Sequence, residues 1–565
     1  MLLCAALCAP AVAAAQPVEA TAPVEPFSGI LLLGSSPLPP SRIAAQVASL
    51  VGQPADAALL AKIRLAVSAA YDAAGFRLVS VDMPVMRGST ALVRVQPLSL
   101  GRIDVKMADG SAPAPGLPAQ AAAALPALRV GETPDLIQVD RQLRLANLQP
   151  HRRWTVDFRS PDTAALPTQP VAALPSATAT FNNQRGQSIA SAKSAPGAVP
   201  QIRLPGYSAK RDAEATVDAR VVVTGANSLF GRALLDNAGQ PATGRERLRV
   251  QLGHGDLLGP GRSLDLTGLV SITDPDRQNQ IALRYQHPLA DRGTLITAEL
   301  SLSRSKPGLV GDFFDVSGNT KVASLSARHL LARQGTFEPY LDTGFSLSVN
   351  DDIVEFFGQN LGAKVGTSPL ALALGATWQG DGWSVFGQMR LLHNLGIGPS
   401  SAAANYDAAR AGATPRWTTL DAFVEARRAL GSGLEAVLRG QGQWTGDALI
   451  SPQLFRAGGQ NTMRGLIESE MAGDSGAALS FELWGALAPR HRLGGLVDGA
   501  ATRRNKALAG EPASSRAASV GLAWQWDLAA GLRLVTTGAH VVAARNLPLT
   551  RAGETRVNLL LDWNF

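Results

Sequence analysis

Read back from its C-terminus, the chain alternates. Phe565, Trp563, Leu561, Leu559 and Val557 fall on one side; Asn564, Asp562, Leu560, Asn558 and Arg556 fall on the other. A two-residue period sends these sets to opposite faces of a strand. An apolar face with aromatics at its end, backed by a polar face, suits lipid outside and a watery lumen inside. The pattern recurs. Val520, Leu522, Trp524, Trp526 and Leu528 alternate with Gly521, Ala523, Gln525 and Asp527, and Ile296, Ala298, Leu300 and Leu302 with Thr297, Glu299, Ser301 and Ser303. One such segment would fit a soluble sandwich, but their recurrence predicts a closed transmembrane barrel over residues 229–565. Sixteen antiparallel strands leave about 21 residues for each strand and its connection, which suits ~10-residue strands.

Before residue 229 the period changes. Ser41–Val51 and Asp56–Ala74 read as helices, the second with Leu60, Ile63, Val67 and Tyr71 at helical spacing, so that Tyr71 is expected in a core. Gly75 ends it, and strands follow at Leu78–Val85 and Thr90–Gln96, after a leading strand at Phe27–Leu33. The order is β-α-α-β-β. A second copy opens at Leu100–Lys106, with helices at Ala119–Leu125 and Leu136–Leu148 and a strand at Trp154–Arg159. It then stalls in residues 160–212, which hold seven prolines and no periodicity, and resumes at Thr216–Val223. The reading is a disordered insertion between the last two strands of the second copy.

Composition narrows the class. MLLCAALCAPAVAAAQ is an apolar run ending in small residues, so residues 1–15 read as a secretory signal cleaved after Ala15. Its basic opening is missing, which points to a start upstream of Met1. Cys4 and Cys8 both lie inside it, leaving no disulfide framework; too little apolar sequence precedes Cys8 for a lipid-modified cysteine. Beyond Ala15 no apolar run reaches the ~20 residues of a spanning helix. The net charge of +7 comes from dispersed arginines, and aromatics make up only 5%, so nucleic acid is not a predicted partner. Seven scattered histidines give Gly473-Asp474-Ser475-Gly476 no recognisable base for acyl transfer, and Gly253–Gly259 has the wrong spacing for a phosphate loop. The reading predicts no enzyme, no cofactor and no metal.

One loop stands out. Phe455 to Trp484 reads as strand, glycine-bearing loop, strand, with Gly458, Gly459 and Gly465 breaking regular structure and Arg464 at the tip. An arginine among small and apolar residues needs a partner if buried, because an unpaired buried charge costs several kcal/mol. Asp498, isolated in the apolar run Gly494–Ala500 (GGLVDGA), is the downstream candidate.

These residues carry a resemblance. GGxxxxRG followed by GDxG (Gly458, Gly459, Arg464 and Gly465, then Gly473, Asp474 and Gly476) resembles the signature of the two-partner secretion transporters, the TpsB family. There a Val-Arg-Gly-Tyr variant tips a loop folded into a barrel. Here the tetrad is Met463-Arg464-Gly465-Leu466, and the family's Gly-x-x-Asp-x-Gly becomes Gly495 to Ala500 with its last glycine displaced. Leu235–Gly244 is similar to the Asp-Asn-x-Gly…Thr-Gly turn that opens these barrels, the β-α-α-β-β units resemble POTRA domains, and a terminal strand with Trp563 and Phe565 resembles a barrel-insertion signal.

The resemblance implies a short segment 16–26, POTRA domains at 27–98 and 99–228, and a barrel at 229–565. It implies an outer-membrane protein of a Gram-negative bacterium, with POTRA domains in the periplasm. Such a protein exports one large exoprotein of adhesin or haemolysin type, driven by capture and folding of the passenger outside. Expected partners are that passenger, outer-membrane lipid and the barrel assembly machinery, with the transporter itself a monomer. A helix that plugs the barrel in related transporters has no room between the signal and Phe27, where Gln16–Pro26 holds three prolines. Closure then falls to the Arg464 loop folded inward, or to sequence upstream. A barrel assembly factor and a passive porin are the rival classes; two POTRA copies and the opening turn favour export.

Overall fold

The computed structural model describes residues 25–149, 151–159, 202–203, 216–225, 228–310, 314–356, 359–507 and 509–565. Residues 1–15, read as a signal, lie outside them, as does most of the expected segment 16–26. The chain divides into two compact units, with Ser99 in the first and Leu100 in the second.

The first unit holds β1 (Gly29–Leu33), α1 (Pro40–Val47), α2 (Ala57–Ala73), β2 (Val79–Val81), β3 (Val85–Arg87) and β4 (Thr90–Pro97). Asp56 caps α2 by accepting the Leu59 amide at 2.7 Å, satisfying one of the free donors of a helix start. The apolar stripe of α2 packs Leu59, Ile63, Val67 and Tyr71 against Ala91, Val93 and Val95 of β4. Tyr71 is buried as its spacing predicts, with its hydroxyl 2.6 Å from Ser36 Oγ. The single strand expected over Leu78–Val85 is two short ones instead. Pro84, which has no N–H to give a ladder, stands between them. The helix expected to reach Val51 tightens into a 3₁₀ turn at Ala48–Leu50.

In the second unit, β5 (Ser99–Met107), α3 (Leu117–Ala124), α4 (Leu136–Ala146), β6 (Arg153–Arg159), β7 (Ile202–Arg203) and β8 (Thr216–Thr224) make a module with strand order β5-β8-β6-β7. The 160–212 insertion lies outside the described residues except for β7. There Ile202 and Arg203 pair in parallel with Val156 and Asp157. The module is bonded to barrel turns: Arg152 meets Asp256 at 3.1 Å and Ser228 Oγ at 3.1 Å, Arg144 donates to Leu331 O at 2.5 Å, and Asp140 pairs with Arg333.

The barrel runs from Leu229–Asp236 to Thr555–Asn564 and closes between these two strands. It has the sixteen antiparallel strands that the alternation predicts, the eighth interrupted. Gln359–Asn360, Lys364–Thr367 and Pro369–Gly380 all lie in one register opposite Phe337–Phe356. The alternation sorts as predicted. Leu300, Leu302, Val520, Leu522, Val557 and Leu559 face outward, while Glu299, Ser301, Asn558 and Asp562 are buried inside. At the seam Arg232 grips Asp562 with two bonds of 2.8 Å. Phe565 pairs its backbone with Gly231 at 2.8 and 3.0 Å, and its ring lies where any side chain at 231 would stand. Strands at Thr294–Val310, Phe314–Leu330 and Phe337–Phe356 span 17, 17 and 20 residues. A bilayer requires only about 9–11 per strand, so these exceed the expected length. Among the described residues no helix is long and apolar enough to cross a membrane.

Candidate functional site in the barrel lumen

Residues 445–474 join the strands Leu434–Trp444 and Ser475–Ala488, and they turn into the barrel. Phe455–Ala457 and Met471–Gly473 pair as a small hairpin that carries the tip. Gly458 makes the reversal possible: its φ is +126°, and a Cβ there would meet the Ile467 carbonyl oxygen at 2.2 Å. Thr462 staples the bend, its hydroxyl donating to Gly458 O at 2.8 Å and accepting from Gly458 N at 2.9 Å.

The tip presents Arg464 to the wall. Its Nε and Nη2 donate to Asp498 Oδ2 at 2.7 Å and Oδ1 at 2.5 Å, the two-pronged geometry that a planar guanidinium forms with a carboxylate. Nη1 reaches Glu482 Oε1 at 2.5 Å and Nη2 reaches Ser480 Oγ at 2.5 Å. The backbone joins in: Arg464 N donates to Asp498 Oδ2 at 2.9 Å, and Arg464 O accepts from Ser519 Oγ at 2.6 Å. Arg464 is 7% exposed and Asp498 1%. Ser480 and Asp498 are register partners on adjacent strands, which places both on the inward face under the tip. Apolar packing completes the seat, with Met463 and Leu466 fully buried among Phe455, Met471, Ala500 and Val541.

Glu482 and Ser480 were not picked out from the sequence. The signal was present in AALSFELW, where Ser480 and Glu482 hold inward positions between Leu479, Phe481 and Leu483. Glu482 is shared, taking Arg439 at 2.7 Å and the Trp484 indole N–H at 2.8 Å. Arg439 continues to Glu425, which Arg427 also pairs. The tip thus docks on a wall of alternating charges, each with an opposite neighbour.

The far side of the tip reaches the first hairpin. Arg247 bridges Asp236 at 2.9 Å and Glu468 at 3.3 Å, and Gln240 donates to Glu468 O at 3.0 Å. Glu470 accepts the amides of Leu549 and Thr550 at 3.0 and 2.6 Å. The loop therefore bonds to both margins of the seam that closes the barrel.

Of the motif residues, Gly458, Gly459, Met463, Gly465 and Leu466 gather around Arg464. Gly473, Asp474 and Gly476 stand apart at the loop's root, and Trp563 and Phe565 lie at the end of the last strand. Asp474 is fully buried and pairs with Arg410. Ser475 Oγ accepts from Thr445 N at 3.1 Å and donates to Thr445 O at 3.2 Å. Among the described residues no group of His, Cys, Asp and Glu has metal-site geometry.

A sixteen-stranded barrel with periplasmic-type α+β modules and an arginine-tipped loop held in its lumen defines a class, the outer-membrane protein transporters. The chain belongs to the haemolysin secretion/activation protein family ShlB/FhaC/HecB, whose profile matches residues 218–523. It is a two-partner secretion transporter, which carries an exoprotein across the outer membrane. The fold is similar to that of CdiB from Escherichia coli at 16% identity, covering 99% of this chain and 93% of that one with a TM-score of 0.70. It is likewise similar to CdiB from Acinetobacter baumannii at 13% identity, covering 97% and 91% with a TM-score of 0.67. No curated protein matches the sequence.

Proposed function

We propose that the Arg464 loop is the gate of this transporter, closing the lumen at rest and leaving the wall when a passenger enters. The observation that carries the reading is the set of five hydrogen bonds donated by Arg464 to Asp498, Glu482 and Ser480. Their partners sit on the wall, so the tip can let go while every ladder bond of the barrel stays intact. The passenger is a large exoprotein of adhesin or haemolysin type. Residues 27–98 and 99–228 act as POTRA domains, recognising it unfolded through strand edges that pair with an extended chain. The barrel is inserted by the barrel assembly machinery and works as a monomer.

The test pairs secretion with conductance. Arg464→Ala should leave the protein in the outer membrane, reduce export of the cognate exoprotein and change single-channel conductance in a planar bilayer. Normal export and unchanged conductance would overturn the gate. Deleting residues 27–98 should abolish secretion with the barrel still inserted; continued export would remove the recognition role.

A further inference from the structure

We propose that Arg410 is a second positioning residue of the transporter. It pins the root of the Arg464 loop, so the tip releases and returns as a hinged flap without the whole loop leaving the barrel. The inference rests on reading that loop as the gate.

Arg410 follows α5 (Ala403–Ala409), a short helix in the connection between Trp383–Asn394 and Thr418–Gly431. Tyr406 seats the helix, its buried hydroxyl donating to Gly366 O at 2.8 Å and accepting from Asn394 Nδ2 at 2.9 Å. Arg410 then closes a two-pronged pair on Asp474, with Nη1 to Oδ1 at 2.5 Å and Nη2 to Oδ2 at 2.9 Å. The same nitrogens donate to Leu449 O at 2.6 Å and Asn505 O at 2.7 Å. Asp474 returns the pattern by accepting Leu449 N at 2.7 Å and Asn505 N at 2.6 Å. Leu449 lies on the outgoing limb of the gate loop and Asp474 on its returning limb. One ion pair therefore ties both limbs to each other, to the α5 connection and to the Asn505 loop. Gln443 adds bonds to Asp474 O at 2.7 Å and Gln453 O at 3.1 Å. Trp417, Leu449, Ile450 and Leu454 bury the knot.

The bonds of the Arg464 guanidinium end on wall side chains, and beside residues 468–469 the lumen opens into a cavity of about 530 Å³. The root's bonds end largely on backbone groups, buried where water cannot replace them. Motion is thus confined to the hairpin beyond the root. With the root loosened, the tip is held less closely over Asp498, so its release should become more frequent.

The mature chain is expected to lack cysteine, which permits a single reporter. Met463→Cys places a thiol on the fully buried tip of the full-length protein in lipid vesicles, and a charged maleimide reads its exposure. Adding Arg464→Ala should speed labelling strongly. Adding Arg410→Ala should speed it about tenfold, within the range of coupling across one buried network, while the heat-modified gel shift keeps its midpoint. A merely structural residue would move that midpoint instead. Arg410→Lys keeps the charge without the fork, should also speed labelling, and carries the test if Arg410→Ala does not insert. Labelling at the reporter's own rate in the Arg410 variants, with Arg464→Ala fast, would overturn the hinge and leave the gate standing. Slow labelling in Arg464→Ala as well would overturn the gate.

Discussion

Two arginine–aspartate pairs hold one loop, and they are built differently. At the tip, Arg464 faces Asp498 with Glu482 and Ser480 beside it, all side chains projecting from strands that are complete without them. At the root, Arg410 and Asp474 bond to four backbone groups of Leu449 and Asn505. Breaking the tip exposes charges that a watery lumen can solvate. Breaking the root strands peptide groups that must find new partners. Two pairs of similar geometry can therefore do opposite work, one as a reversible catch and the other as an anchor.

The largest effect should come from the catch. Removing one partner of a buried pair costs about 3–5 kcal/mol locally, so Arg464→Ala and Asp498→Ala should each cut export about tenfold or more. Both proteins should still reach the outer membrane, as fractionation would show. Arg464→Lys should fall close to Arg464→Ala, because lysine lacks the planar fork. Glu482→Gln is gentler. It keeps a hydrogen-bond acceptor for Arg464 but deletes the charge shared with Arg439, and conductance should move part of the way toward that of Arg464→Ala. A Glu482→Gln effect as large as Arg464→Ala would shift the centre of the catch from Asp498 to Glu482.

Smaller still is Gly465→Ala. Gly465 has φ +96°, and its Cβ would stand 3.0 Å from Val541 Cγ2. The strain is about 1–2 kcal/mol, enough to raise tip labelling a few-fold; labelling unchanged would mean that the tip adapts.

A pH change addresses a third place, the junction of the second module with the barrel. His151 stacks on Phe230 at 5.6 Å between ring centres, with Gly255 against the ring and no hydrogen-bond partner on either nitrogen among the described residues. Burial pushes it down to about 4, Arg152 adds to the shift and Asp256 opposes it. Once undocked, the ring takes a proton near pH 6.5. Docking is thus strongest above about pH 6.5 and weakens as pH falls toward 4. Hydrogen exchange at β6, corrected for intrinsic rates, should rise between pH 7.5 and pH 5. His151→Phe should flatten that rise; a rise that persists would assign it to another group.

The barrel was legible because alternation is repeated. Each strand restates that Leu300 or Leu522 meets lipid and Glu299 or Asp562 does not. At the tip, the need of a buried arginine for a partner points to Asp498, and the resemblance carries the pairing across the 34 residues between them. Ser480 and Glu482 lie in the alternating run Ala477–Trp484, whose period puts both on the inward face. Arg410 belongs to no such run. It lies 64 residues from Asp474, after a short helix inside a connection, where no period binds one position to another. Ile202–Arg203 was missed for a related reason, because a parallel pairing of two residues leaves no pattern in a proline-rich stretch. Pro84 marks the break at Val81–Val85 in the sequence itself, because it has no N–H to give a ladder.

The central claim is that Arg464 and Asp498 act as one catch, and a double-mutant cycle tests it most directly. Single-channel conductance and export would be measured for Arg464→Ala, Asp498→Ala and the double variant. The account predicts a double variant little worse than either single, with a coupling energy of about 1–3 kcal/mol. Fully additive losses would show that the two residues act separately, and the gate built on their contact would fall.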